Sequence, residues 1–514
     1  MTTAAELFDR PSGLFSVLVA KRAAERPQVT AVVIDDRPAD FAEIDAMADR
    51  VAAALQRDGA APGEIAAIAA AASMEFVGVF LGVLRAGLAV APLPIWTRPD
   101  ALERMLADSG ARTVFLDASA PTDAVSSRPA ARRIALDDSA NADATFADWL
   151  APKSTRPRPV TPGPDDPFSI LYSSGTTGVP KGVFRSQSSA WSHRTMAPLS
   201  EGEVLAIGTP LYATMGLGSL MRTLLGGATA VLTTKFDAPA FMRTAIAHGV
   251  TEAFLTPVQY QRILALPEFD QLDLSRFRVK AVAGAPCPLQ LKAEILTRWP
   301  GQLVEYYGMT EGGVGAALNA HERPDKLHTV GRPLPGYEMR VIDEQGRQVA
   351  IGEVGELVGR AAAMTQGYFN RPEATAEIEW RDESGQRFLR SGDLGSFDDE
   401  GFITLVGRKK DMIVSGGFNI YPSDLEQALL EQEDVADAAV VGAPSQQWGE
   451  TPVGFVVLRP GARADADSLM AFANGRLGKI QRLSTVRVLD DLPRSPAGKV
   501  LKAELRALCG ESVG

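Results

Sequence analysis

The residues best suited to chemistry lie in one run, SSGTTGVPKG, at positions 173–182. Ser173, Ser174, Thr176 and Thr177 bring four hydroxyls, while Gly175, Gly178 and Gly182 let the backbone turn its N–H groups toward an anion. Lys181 adds a positive charge, and the whole set of donors fits a polyphosphate. It is not a Walker A loop, which needs glycine immediately before the lysine, where Pro180 stands. Metal-ligand patterns are weak by comparison. The four histidines, His193, His248, His321 and His328, show neither HExxH nor HxH spacing. The two cysteines, Cys287 and Cys509, supply neither a thiolate metal site nor a disulfide framework.

Something must hold that loop, and the apolar run at 168–172 reads as the strand it leaves. Residues 151–167 before it contain six prolines and read as an exposed connection. Helical spacing at 13–25, 41–58 and 76–86 alternates with strand-like runs at 29–34, 88–92 and 113–116. Further helices are expected at 241–248, 289–299 and 373–380. The last hundred residues carry strand signals at 438–441, 453–458 and 486–489 and helices at 422–432 and 468–477. This pattern predicts a mixed α/β chain. Its large N-terminal domain holds layered sheets and helices with a β-rich subdomain, and a small α+β C-terminal domain follows, with the boundary at 408–411.

The chain has 514 residues, 46% of them hydrophobic and 22% charged, an ordinary globular mixture. With 52 Lys+Arg against 63 Asp+Glu the net charge is −11, and no long basic run offsets it, which argues against nucleic-acid binding. The apolar stretch at 76–84 meets Arg85 well short of the ~20 residues of a membrane span. The opening MTTAAELFDR carries Glu6 and Asp9 where a secretory leader would carry lysines, so a cytoplasmic location is expected.

The phosphate-suited loop is followed, in order, by YYGMTEG at 306–312, SGDL at 391–394, GRKKD at 407–411, SGGFNIYP at 415–422 and PRSPAGK at 493–499. Loop and motifs together resemble the acyl-adenylate-forming (AMP-binding) superfamily, and within it the acyl-CoA and aryl-CoA synthetases. The resemblance spans about residues 168–502. It implies an acid–thiol ligase that uses ATP, Mg²⁺ and coenzyme A. The carboxylic acid attacks the α-phosphorus, pyrophosphate leaves, and the acyl group then passes to the thiol of coenzyme A with release of AMP. It implies that Thr176, Thr177 and Lys181 hold the β- and γ-phosphates within the loop of Ser173, Ser174, Gly175 and Gly178. Glu311 would bind Mg²⁺ and Thr310 would contact the α-phosphate. Gly284, Ala285 and Pro286 would lie along one face of adenine with Tyr307 and Gly308 on the other, and Asp393 and Arg408 would take the ribose.

The same resemblance implies domains of 1–408 and 409–514, with Lys410 as a hinge. In one state Lys499 bridges the carboxylate and the α-phosphate. In the other a strand at Ser415, Gly416 and Gly417 replaces it and opens a passage for the pantetheine arm, with Trp448 against coenzyme A.

The acid pocket is expected from Tyr212, Ala213, Thr214, Met215, Gly216, Pro257, Ala283, Tyr306, Gly308, Gly313 and Val314. These are mostly apolar or small, so a largely hydrophobic acyl or aryl acid is favoured over a charged tail. Arg222, on the helix after this loop, is the residue a dicarboxylate binder would use for a second carboxylate, but arginines on helices usually reach to solvent. Ala213 departs from the family pattern, where histidine or a large aromatic gates the pocket; alanine leaves a roomier pocket or a gate made by another side chain such as Tyr212. Two other acceptors stay open, a carrier-protein thiol and an amine. An amino-acid substrate would want an acidic residue at 212–215, and none is there. A regulatory relative without catalysis would have lost Lys181, Glu311 or Lys499, and all three stand. Partners are therefore small molecules, with no nucleic acid and no integral membrane segment, and a homodimer is left open.

Overall fold

Short apolar runs become parallel strands through much of the chain, because strands covered on both faces by helices need no polar alternation. The computed structural model describes residues 15–121, 131–138, 142–173, 181–192, 199–478, 481–495 and 498–510. By contact the chain forms two units, Met1–Glu338 with Gly359–Leu389, and Met339–Val358 with Arg390–Gly514.

In the first unit Val204–Ile207, Glu252–Leu255, Val279–Val282 and Gln302–Gly308 lie parallel as successive neighbours within a nine-stranded sheet. Gly315–Asn319 turns back antiparallel against Gln302–Gly308. A second, eight-stranded sheet holds Ile65–Ala69, Ala89–Pro92, Pro167–Ser173 and Lys181–Ser186. The rings of Phe15, Phe80 and Phe168 meet at 5.7–6.5 Å, tying the Phe15–Glu25 helix to that sheet. Helix starts are locally specified. Asp40 accepts the Glu43 N–H while Glu43 accepts that of Asp40, and Ser73 caps Met74–Arg85; such caps contribute about 1 kcal/mol each.

The expected helix at 373–380 is shorter. It ends at Glu377, and Trp380 joins the strand Glu379–Arg381, opposite Phe388 with the two rings edge-on at 5.2 Å. Aromatic cross-strand pairing outweighs the helical spacing there.

The second unit contains the hairpin Ile413–Ser415 and Phe418–Ile420, with Val435–Ser445, Gly449–Leu458 and Thr485–Leu489 in the same sheet. Alternation divides the core. Val440 and Val456 face Leu425 and Leu469 of the Pro422–Leu430 and Ala466–Asn474 helices, whereas Val441 and Phe455 face Leu505 of Lys502–Gly510. The segment expected as a strand at 415–417 is the tip of the hairpin, since Gly416 and Gly417 have φ of 56° and 83° and close its turn.

Candidate active site

Ser173 and Lys181 are register partners across the antiparallel strands Pro167–Ser173 and Lys181–Ser186, so the intervening loop starts and returns at one place. Ser174, Gly175, Thr176, Thr177 and Gly178 lie outside the described residues, as does the side chain of Ser173. Lys181 Nζ sits 5.2 Å from the centre of the Tyr368 ring and 3.7 Å from Glu377 Oε2. The same tyrosine donates its hydroxyl to Glu311 Oε1 at 2.7 Å. One aromatic residue thus touches both the expected phosphate lysine and the expected magnesium carboxylate.

Glu311 is 8% exposed, and its backbone carbonyl accepts the Thr365 N–H at 2.8 Å. Beside it the buried Arg185 guanidinium donates to the Thr310 carbonyl at 2.7 Å. Burial pulls the Arg185 pKa down to about 10, with Tyr337 and Glu311 opposing, so it remains a fixed cation at neutral pH. The Thr214 hydroxyl donates to that of Thr310 at 3.2 Å, which ties the start of the Thr214–Gly226 helix to the YYGMTEG turn. Ala213 occupies the N-cap of that helix and no side chain caps it.

The donor set here suits a hard cation. One oxygen of the Glu311 carboxylate is held by Tyr368, the second is the candidate ligand, and the preceding residue, Thr310, brings a hydroxyl that is itself bonded to that of Thr214. Among the described residues no group of three or more His, Cys, Asp or Glu side chains could hold a metal by itself. An ion here would be shared with phosphate oxygens.

The two expected faces of an adenine slot come from neighbouring parallel strands. Ala283 to Pro286 follow Val279–Val282, and Tyr306 to Gly308 end Gln302–Gly308. Gly284 has φ of 90°, and a Cβ there would lie 2.8 Å from Met215 Sδ, so only glycine fits this turn. Behind the slot the Glu305 carboxylate accepts the Cys287 N–H and pairs with Lys292, whose ammonium also donates to the carbonyls of Leu327 and Thr329. Both side chains are under 5% exposed.

Met215, Ala283 and Tyr306 belong with Phe254 to one core cluster, and Gly313 and Val314 are buried. Pro257 is likewise buried, at the start of the Pro257–Leu264 helix. Gly216 has no room for a side chain, because a Cβ would lie 2.2 Å from the Pro210 carbonyl. The Tyr212 hydroxyl is buried with no hydrogen-bond partner among the described residues, and its ring meets Trp96 edge-on at 6.2 Å. Burial raises its pKa. Arg222 is not a free cation, since Glu252 pairs with it.

In the second unit Asp393 and Arg408 are register partners and form an ion pair at 2.6 Å. The Asp393 N–H donates to Ser391 Oγ, which itself donates to the Leu357 carbonyl, so this acid is rigidly placed. Lys410 has its pKa lowered by burial, with Arg408 and Arg506 adding to the effect and Asp411 opposing it. Gly416 donates its N–H to the Trp448 carbonyl at 2.8 Å, and a Cβ on it would press against the indole at 2.9 Å. Trp448 is 51% exposed. Lys499 is exposed on a turn where Ser495 donates its N–H to the Lys499 carbonyl and Arg494 to that of Gly498, both at 2.7 Å. Asp437 pairs with Arg494 and anchors the turn to the sheet.

Arg185, Tyr368, Lys292 and Glu305 were not among the expected site residues. Arg185 had a visible signal, a cation at an inward position of the apolar strand Lys181–Ser186. Tyr368 had none, being 57 residues from the acid it holds.

Residues 19–369 match the AMP-binding enzyme family, and 424–499 match the AMP-binding enzyme C-terminal domain. A feruloyl-CoA synthase of Amycolatopsis is 32% identical over 95% of this chain and 98% of its own. An indoleacetate–CoA ligase of Aromatoleum aromaticum is 30% identical over 95% and 97%. Two solved structures, a benzoate CoA ligase from Burkholderia xenovorans and the amide bond synthetase McbA from Marinactinospora thermotolerans, each superpose with a TM-score of 0.85 at 26% identity, covering 96% of this chain and 99% of theirs. Motifs, site geometry and these relationships agree that the chain belongs to the AMP-binding enzyme family.

Proposed function

We propose that this enzyme is an ATP-dependent carboxylate–CoA ligase. It adenylates a largely hydrophobic acyl or aryl acid, releasing pyrophosphate, and then transfers the acyl group to the thiol of coenzyme A with release of AMP. The observation that carries the reading is the buried Glu311 carboxylate held by Tyr368, with Lys181 over the same ring and Arg185 at the adjoining carbonyl. Those groups place one anion-neutralising centre beside one cation-binding carboxylate, as transfer at a phosphorus requires. Feruloyl-CoA synthase and indoleacetate–CoA ligase, both alike over nearly the full chain, support an acid with an aromatic or similarly apolar tail.

Glu311, with the neighbouring Thr310 hydroxyl, would hold Mg²⁺, which supplies charge neutralisation on the phosphates. Lys181 orients the β- and γ-phosphates, and Thr310 the α-phosphate. Asp393, positioned by Ser391, accepts from the ribose hydroxyls, and Arg408 donates to the same sugar. Lys499 acts in adenylation, Lys410 is the hinge between parts 1–408 and 409–514, and the hairpin tip with Trp448 receives coenzyme A in the second step. Among the described residues no helix is long and apolar enough to cross a membrane.

The test is a panel of aryl and aliphatic acids assayed for AMP and thioester with and without coenzyme A. A thioester formed together with AMP is expected. Turnover with amines or a carrier-protein thiol and none with coenzyme A would instead assign the amide- or carrier-forming reaction.

A further inference from the structure

The Thr214–Gly226 helix carries Met215 and Arg222 seven residues apart, so they lie on one stripe separated by about 10 Å along the axis. Between them Gly218 faces open space, since a Cβ there would meet nothing within 4 Å. In the same core cluster the sheet supplies only Ala281 and Ala283 from the strand that lies between those bearing Phe254 and Tyr306. Those two rings meet edge-on at 6.2 Å. Small residues on helix and sheet therefore leave a slot that starts at Met215, beside Gly284.

The slot ends on an ion pair. Glu252 opens the strand Glu252–Leu255, two residues before Phe254 and hence on the same face, and pairs with Arg222. The two side chains are 12% and 15% exposed, and both act electrostatically on Tyr306. On its outer side Glu252 lines a surface cavity of about 570 Å³ with Glu203, Arg278 and His321. Glu252 therefore belongs both to this ion pair and to the lining of that cavity. Arg222 donates to Glu252 through Nη2, while its buried Nε has no partner among the described residues.

We infer that the Arg222–Glu252 pair is the floor of the acid pocket, and that the acid this enzyme activates ends in a neutral oxygen acceptor received by Arg222 Nε. A ketone, hydroxyl or methoxy oxygen about 10 Å beyond Met215 meets that description. The inference rests on the carboxylate-activating reading of the site and narrows its substrate class. A second carboxylate does not fit, because Glu252 already neutralises the guanidinium and would repel it. A long alkyl tail does not fit either, because passing the floor means breaking a shielded ion pair.

The test uses acids of one skeleton whose far end is unsubstituted, oxygen-tipped, carboxylated or extended by about six methylenes, with kcat/KM read from AMP release in the presence of coenzyme A. The wild type is expected to favour the oxygen-tipped acid over the plain one roughly ten- to a hundredfold, the size of an effect when a buried donor is left unpaired. Arg222→Lys keeps the pair, and its single ammonium, drawn to Glu252, leaves no N–H fixed at the Nε position, so the preference should be lost while the length limit stays. The double variant Arg222→Met with Glu252→Met should lose both and accept the extended acid. A wild type that favours the plain, carboxylated or extended acid, or a preference that survives in Arg222→Lys, overturns the inference while leaving the ligase intact. No AMP from any acid with either wild type or variants overturns the ligase reading itself.

Discussion

Tyr368 shows how a single side chain can couple two functional groups. Its ring lies under the Lys181 ammonium and its hydroxyl fixes one oxygen of Glu311, so lysine and carboxylate are oriented by the same rigid body. Tyr368→Phe keeps the ring and deletes the hydrogen bond, which to a charged partner contributes about 1.5–3 kcal/mol. The expected outcome is a Mg²⁺ requirement for pyrophosphate release raised about tenfold or more, with a fall in thermal stability of a few degrees. Tyr368→Leu should add a higher KM for ATP, because Lys181 then loses its platform. If Tyr368→Phe shows a wild-type magnesium titration, the hydroxyl does not position Glu311. Arg185 works by another route. Deeply buried and still charged at neutral pH, it holds the Thr310 carbonyl, so Arg185→Met is expected to lower kcat at saturating ATP more than it raises KM.

At the scale of elements, the neighbouring parallel strands Val279–Val282 and Gln302–Gly308 lead to the two sides of the proposed adenine slot, and the Glu305–Lys292 pair ties the second strand to the helix Leu289–Arg298. Removing one partner of a buried pair costs about 3–5 kcal/mol, whereas replacing both with apolar residues is often nearly neutral. Lys292→Met should therefore shift the denaturant midpoint strongly downward. Lys292→Met with Glu305→Leu should recover most of that shift, yet retain a raised KM for ATP, because the Cys287 N–H has lost its acceptor. A double variant with wild-type affinity for ATP would show that the pair serves stability alone. Neither residue is prominent in the sequence. Glu305 adjoins a motif it does not belong to, and Lys292 sits on an amphipathic helix where a lysine reads as solvated. Local order carried the motifs: the loop ending in Lys181 returns beside Ser173, and Asp393 and Arg408, expected at one sugar, are register partners. Strand and helix positions followed from apolar spacing, as in Thr113–Leu116 and Phe41–Arg57. Trp380 was misassigned because its cross-strand partner Phe388 is set by the fold and not by the spacing of its neighbours. Tyr368 and the Arg222–Glu252 pair escaped for the same reason, since their partners are distant in sequence.

At the scale of the whole molecule, a net charge of −11 must coexist with ligands that are polyanions. In the proposed reading attraction comes from local cations such as Lys181 and Arg408, while the overall field repels. Because screening acts within about 10 Å at 0.1 M salt, raising NaCl from about 10 to 100 mM should leave KM for ATP unchanged or lower it. A steep rise would mean that long-range attraction operates after all. The proposed division at Lys410 makes a separate demand. Both core clusters of the C-terminal part, one around Ile413, Val440, Val456 and Leu469 and the other around Val441, Phe455 and Leu505, are built from residues beyond that point. A chain of residues 409–514 keeps every one of them. It loses the hydrogen bonds from Ser423 to the Val406 carbonyl and from the Met412 N–H to the Arg408 carbonyl, the Lys409–Glu356 ion pair, and its other contact partners among Met339–Val358 and residues 390–408. Burial of large apolar side chains outweighs these few polar contacts, at roughly 1.5–3 kcal/mol per side chain against about 1 for each contact. The isolated piece is therefore expected to fold cooperatively, with native-like far-ultraviolet circular dichroism and a single thermal transition. An unfolded fragment that gains structure only when extended to include 339–408 would move the boundary upstream and dissociate it from the hinge at Lys410.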